Sequence, residues 1–298
     1  MRYLDPKNDL TFKKVFGQHP HLLRSFLNAM LPLGPGQEIV ELEYLPAELV
    51  PEIPFLKHSI VDVRCRDRQG RQFIVEMQIL WTDTFKYRVL FNASKAYVKQ
   101  LDRGYEYKGL QPVYALGLVN ATFEPDTDLY YHHYRMIHYA LTHKQIEGLE
   151  LVFVELPKFK AKSLTEKKLQ VLWLRFLTEI EDQTEQLPAD LLEVPEIREA
   201  IEILQESAFS KAELLAYDSY WDSVSSEKTL ISDAERTGLK RGREEGREEG
   251  RQEGRMEGLQ LAAEVLRLHQ AGASLAEMAE ATGLSEGAIR QLLADLDG

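Results

Sequence analysis

The sequence predicts an α/β fold: a mixed β-sheet core flanked by helices, followed by an α-helical C-terminal region. Three observations carry that prediction. Residues 59–80, SIVDVRCRDRQGRQFIVEMQIL, alternate apolar and polar side chains along two segments that meet at Arg68-Gln69-Gly70, the period-2 pattern of a strand hairpin. Val113–Val119 is a short, fully apolar run reached through a helical stretch, as expected of a buried strand after a crossover in a mixed sheet. Beyond Lys160 the apolar residues recur only at helical spacing.

Taken in order, Asn8 or Asp9 can cap a short helix, LTFKKVF, with Gly17 as its expected stop. A second helix follows Pro20, with Leu22, Leu23, Phe26, Leu27 and Met30 on one stripe. Residues 32–58 are proline-rich and predict one short strand around Ile39–Tyr44. In the hairpin, Val61, Val63 and Cys65 oppose Asp62, Arg64 and Arg66. Phe73, Val75, Met77 and Ile79 likewise oppose Ile74, Glu76 and Gln78. A three-residue loop with Gly70 in the left-handed conformation pairs Asp67 with Arg71 and sets Asp62 opposite Glu76. Directly opposed residues share a face with Cβ atoms about 5 Å apart. Two facing carboxylates repel unless a proton or cation lies between them, so Asp62 and Glu76, with Gln78 beside them, suit a divalent metal and a water. The other reading makes these residues the wet face of an amphipathic sheet.

A helix from Thr82 or Asp83 to about Arg103 should bury Phe85, Val89, Ala93, Ala96 and Leu101. Arg88 on this helix offers a planar donor fork for a phosphate, or a surface ion pair. The histidines of YYHHYRMIHYALTHK match no zinc spacing and read as polar edge-strand residues. Leu149–Leu156 predicts one further strand. Helical stripes follow at Leu169–Leu177, Ile197–Leu204 and from about Lys211. Gly238, Gly242, Gly246, Gly250, Gly254 and Gly258 then recur every fourth residue among Arg and Glu. Each glycine costs a helix about 1 kcal/mol relative to alanine, which leaves either a close-packed helix or a flexible charged linker. Residues 259–298 look like a helix-turn-helix with a Ser274/Glu277 capping box. Their acidic balance, with Arg267 and Arg290 the only Lys or Arg residues, favours protein contact over DNA contact.

Composition narrows the partners. The chain has 298 residues, one cysteine and a formal net charge of −12. The lone Cys65 excludes an intramolecular disulfide. No stretch has the length or apolarity of a membrane span or signal peptide, so a soluble cytoplasmic protein with no membrane partner is expected. Residues 1–120 carry 16 Lys+Arg against 13 Asp+Glu. The half that holds the hairpin is therefore mildly basic and leaves room for a DNA footprint.

An Asp, a hairpin and then Glu-x-Gln resemble the PD-(D/E)xK (restriction-endonuclease-like) core, in the Rpn branch of recombination-promoting nucleases and transposases. NDLTFKKVFG at 8–17, RVLFNASKAYVKQLDRGYEY at 88–107, VELPKF at 154–159 and the glycine repeat are similar to that branch. The resemblance covers roughly residues 1–260. It implies a metal-dependent DNA endonuclease with Asp62, Glu76 and the Met77 carbonyl holding Mg²⁺ (or Mn²⁺ or Ca²⁺). Asp9 and Lys13 approach the catalytic face, and Lys13, Lys14, Arg64 and Arg88 are the candidate DNA contacts. Gln78 stands where most of the superfamily has lysine, so it can orient a water but cannot take a proton, and Lys13 or a metal hydroxide is left as the base. The expected organisation is a nuclease-like core at 1–160, a helical subdomain at 161–236, the glycine repeat at 237–258 and the small helical module at 259–298. A homodimer through the C-terminal helices is expected. A catalytically decayed DNA-binding protein, or an oligomeric interaction protein, is the alternative function.

Overall fold

The computed structural model describes residues 2–49, 59–60, 62–101, 106–161, 168–182 and 184–296. Val61 and Arg103, both named above, lie outside them. Two compact units are present, Met1–Ser226 and Glu227–Gly298.

The first unit opens with α1 (Asp9–Gln18), capped by the Asn8 carboxamide on the Leu10 N–H, and α2 (Pro20–Met30). Gly17 does not end α1. The helix runs one residue further and stops at His19, where Pro20 begins the next helix with its φ already set. β1 (Leu42–Tyr44) falls within the predicted Ile39–Tyr44 stretch, and β2 (Glu48–Leu49) pairs with β3 (Ser59–Ile60).

β4 (Val63–Asp67) and β5 (Gln72–Gln78) form the predicted hairpin, antiparallel in the register Val63↔Val75 through Arg66↔Gln72. The Asp67 N–H donates to the Arg71 carbonyl at 3.1 Å, the Gly70 N–H donates to the Asp67 carbonyl at 3.0 Å, and Gly70 has φ +84°. One step past the ladder, the same register sets Asp62 opposite Glu76.

α3 (Thr84–Val98) crosses over to β6 (Val113–Val119), which runs parallel to β5. The helix ends sooner than predicted, and Leu101 lies past it. β7 (Tyr131–His138) is the sheet edge, antiparallel to β8 (Leu141–Glu155). The predicted Leu149–Leu156 strand is only the inner half of β8. Its first half forms a ribbon with β7 whose side chains stay exposed, so no apolar run marks it in the sequence. The six-stranded order is β1-β4-β5-β6-β8-β7.

Both faces of this sheet are covered. Val63, Cys65, Phe73 and Val75 pack with Phe12, Phe16 and Phe26 from α1 and α2, and with Trp173, Phe176 and Ile201 from α4 (Leu169–Glu179) and α5 (Pro195–Ile203). On the other face, Ile74, Ala115 and Phe153 pack under Phe85, Val89, Ala93 and Ala96 of α3. The polar side of the hairpin is therefore covered at one end only, Arg66 remaining exposed. Its Glu76 end is roofed by α3. Gly117 is paired with Glu76, and a Cβ there would meet Phe153 at 2.9 Å and Phe85 at 3.1 Å. The missing side chain lets α3 lie close to the strand beside Glu76.

α6 (Lys211–Gln270) is 60 residues long. Its first turns close the first unit, where Tyr217 packs with Leu4 and Phe209. The glycine repeat is helical, and in a single chain a Cβ at any of its six glycines meets nothing within 4 Å. In the second unit, Val265, Met278 and Ile289 join the end of α6 to α7 (Leu275–Thr282) and α8 (Glu286–Leu296). The Ser274/Glu277 capping box is formed, and Gly283 ends α7 at φ +72°. Among the described residues no helix is long and apolar enough to cross a membrane.

Candidate active site

Asp62 sits at the open end of the hairpin, in a bend before β4. Its Oδ2 accepts the Met77 N–H at 2.6 Å, which ties the carboxylate to the β5 backbone. The Met77 carbonyl leaves the strand on the same side as its N–H. Lys13 comes from α1, where the buried Asn8 cap fixes the first turn. Its Nζ pairs with Asp9 one turn earlier at 2.7 Å and lies 3.9 Å from Asp62 Oδ1.

Glu76 is 4% exposed. Two α3 residues one turn apart hold it: Asn92 Nδ2 donates to Oε1 at 2.9 Å, and Arg88 Nε stands 3.4 Å from Oε2. The Arg88 guanidinium also donates to Gln78 Oε1 at 2.6 Å, while Gln78 Nε2 donates to the Leu80 carbonyl at 2.6 Å. The contacts form two groups, Asp9–Lys13–Asp62–Met77 and Glu76–Arg88–Gln78, which adjacent positions on β5 bring into one cluster. Arg64 and Lys14 fall outside it. The Arg64 guanidinium donates to Gln72 Oε1 and the Pro46 carbonyl. Lys14 points to Glu213, the Ala208 carbonyl and the Phe209 ring, tying α1 to α6.

Sequence reasoning missed Asn92. The signal was present: a lone carboxamide inside the buried Val89–Ala93–Ala96 stripe, four residues after Arg88. Asn92 is 1% exposed, and among the described residues its Oδ1 has no hydrogen-bond partner.

Burial pushes the Asp62 carboxyl up to about 6; the Met77 N–H and Lys13 oppose the rise, and Asp9 and Glu76 add to it. Burial also raises Glu76, against the Asn92 hydrogen bond and Arg88. A folded pKa above the unfolded value makes the native state bind more protons between the two, so stability falls as pH rises through that window. For Asp62 the window runs from about 4 to 6 and amounts to up to about 3 kcal/mol. Urea unfolding in EDTA at both ends of the window should show the wild-type protein losing stability relative to Asp62→Asn. Equal pH dependence in the two proteins would contradict the raised carboxyl.

The donors available here are all oxygens: two opposed carboxylates and a main-chain carbonyl. That set fits a hard divalent ion that keeps several waters. No group of three His, Cys, Asp or Glu able to hold a metal occurs among the described residues. His132 is taken up elsewhere, meeting buried Glu155 at 2.8 Å beside Lys158.

An antiparallel hairpin with an Asp and a Glu at its open end, followed by a crossover helix and parallel strands, is the core of the PD-(D/E)XK α/β class. The chain belongs to the PD-(D/E)XK nuclease family transposases, whose family profile matches residues 6–234. Neither the curated proteins nor the solved structures contain a match to the chain.

Proposed function

We propose that the chain is a metal-dependent DNA endonuclease of the cytoplasm that hydrolyses phosphodiesters in a recombination or transposase-like process. The observation that carries this reading is the opposed pair Asp62 and Glu76, held by the hairpin register and braced by Lys13 and Arg88. Asp62 and Glu76, with the Met77 carbonyl, would hold Mg²⁺ or Mn²⁺. Such an ion supplies Lewis-acid stabilisation of phosphoryl oxygens and a water of lowered pKa. Lys13 brings its Nζ from α1 to 3.9 Å from Asp62, in a chain where Gln78 replaces the superfamily's usual lysine. Gln78 presents an oriented amide, and Arg88 is placed to turn from Glu76 and Gln78 to a phosphate, which its planar fork fits.

Supercoiled plasmid incubated with Mg²⁺, Mn²⁺, Ca²⁺ or EDTA tests the proposal. Nicking in Mg²⁺ or Mn²⁺ that EDTA abolishes is expected. Plasmid left supercoiled in every arm would favour the decayed, DNA-binding alternative. That alternative draws on the existing pairing of both carboxylates with cations.

A homodimer through residues 236–298 belongs to the same proposal. Six glycines cost the repeat about 6 kcal/mol as a lone helix, and they leave a stripe where a second backbone can come close. Full-length protein near ~10 μM, a concentration that fills a moderate interface, should scatter light as a dimer. A chain stopped before Gly238 should be monomeric and still nick DNA. A full-length monomer or a truncated dimer would refute this role for the tail.

A further inference from the structure

α3 buries one apolar stripe under the sheet and presents a second to solvent. Tyr87 is 73% exposed, Leu90 42% and Phe91 45%, all within a little over one turn. Arg88 lies between them in the sequence, and its guanidinium reaches Glu76 and Gln78. Lys95 Nζ lies 5.6 Å from the centre of the Phe91 ring. The helix carries Lys86, Arg88 and Lys95 and no acidic residue, in a chain of net charge −12.

We infer that this outer face of α3 stacks on unpaired nucleobases, so that the substrate of the Asp62–Glu76 site is DNA with a single-stranded stretch. This rests on the nuclease reading and narrows its substrate. Base faces are open to aromatic rings only where they are not already stacked in a duplex, whereas duplex DNA shows a protein its phosphates and groove edges. Rings interleaved with Lys and Arg are the recurring means of holding a single strand, the rings taking bases and the cations the phosphates. Tyr87 and Phe91 are one helical turn apart, about 6 Å along the axis, close enough to meet neighbouring splayed bases. A second copy suits the face less well. A two-fold contact sets the same patch against itself, and this helix would bring like charges together.

Fluorescence anisotropy with a labelled oligothymidylate and a duplex of equal length, at one fixed salt concentration in EDTA, reads binding apart from cleavage. Wild-type protein should bind the single strand at least about tenfold tighter than the duplex. Tyr87→Ser/Phe91→Ser should lose about tenfold or more in single-strand affinity and keep its duplex affinity. Phe91→Tyr should retain single-strand affinity, which a merely structural defect would not explain. Duplex preference in the wild type, or single-strand affinity unchanged in the double variant, would overturn the inference. A change of mass by light scattering between wild type and double variant would do so too, by assigning the face to a second copy. Plasmid nicking by the wild type reports on the nuclease reading separately. Nicking with no effect of the double variant sinks only the stacking face, and ring-dependent binding without nicking sinks only the catalysis.

Discussion

Glu76→Gln and Asp62→Asn should each lower metal-dependent plasmid nicking about a thousandfold or more while the protein stays folded. A metal ligand of this kind underlies several kcal/mol of transition-state stabilisation, and each 1.36 kcal/mol is about tenfold in rate. The amide variants are the right test because of what surrounds the carboxylates. Asp62→Asn still offers an oxygen to the Met77 N–H, and Glu76→Gln still offers one to the Asn92 amide, contacts that measure 2.6 and 2.9 Å in the native protein. Alanine is a poorer choice: Glu76 is buried under α3, and its loss strands the Asn92 amide. Leaving such a buried donor unpaired costs about 1–3 kcal/mol. Circular-dichroism melts beside the nicking assay separate the two effects. A variant that melts like wild type and nicks at the wild-type rate would remove its residue from the site.

The opposition of Asp62 and Glu76 could be read from the sequence because a hairpin register is a local property. Once Arg68-Gln69-Gly70 is taken as a three-residue loop, counting along two strands fixes every pair. What lies above the pair is not local. Arg88 and Asn92 reach Glu76 only because α3 folds back over the strand, and the residue that permits the close approach, Gly117, is about forty positions away in the chain. The same limit explains Lys14 and Arg64. Both looked like free cations near the site. Lys14 is drawn instead to Glu213 at the start of α6, a contact almost two hundred residues distant that no spacing rule contains. Arg64 keeps the face the alternation gave it but is spent on Gln72 and Pro46. The polar histidines predict the edge strand β7. The outer half of β8 that pairs with it escapes prediction for a different reason: its side chains are exposed, so neither an apolar run nor clean alternation marks it.

Arg71→Met should be the most damaging single change to the fold among the charged residues of the hairpin. The Arg71 Nε lies 2.7 Å from Asp67 Oδ2, and the Arg71 N–H donates to Asp67 Oδ1 at 2.9 Å. The Asp67 side chain is 1% exposed. Removing the guanidinium leaves a desolvated carboxylate with the main-chain N–H as its remaining contact in this pair, and breaking a buried pair in this way costs about 3–5 kcal/mol. In a unit of this size that corresponds to a fall in melting temperature of about 10 °C. Methionine keeps most of the arginine stem in place, so the loss reports the charge more than a cavity. Adding Asp67→Asn to Arg71→Met removes the orphaned charge and should recover much of the deficit. Register itself should survive in both variants. A one-residue slip would turn Cys65 and Phe73, both fully buried, out of the core. Asp62 therefore stays opposite Glu76, and well below the melting temperature nicking should remain within a few-fold of wild type. An Arg71→Met protein that melts like wild type would show that the pair contributes nothing to holding the hairpin. One that melts early and has also lost nicking at low temperature would show that the pair, rather than the apolar ladder, sets the register of the site.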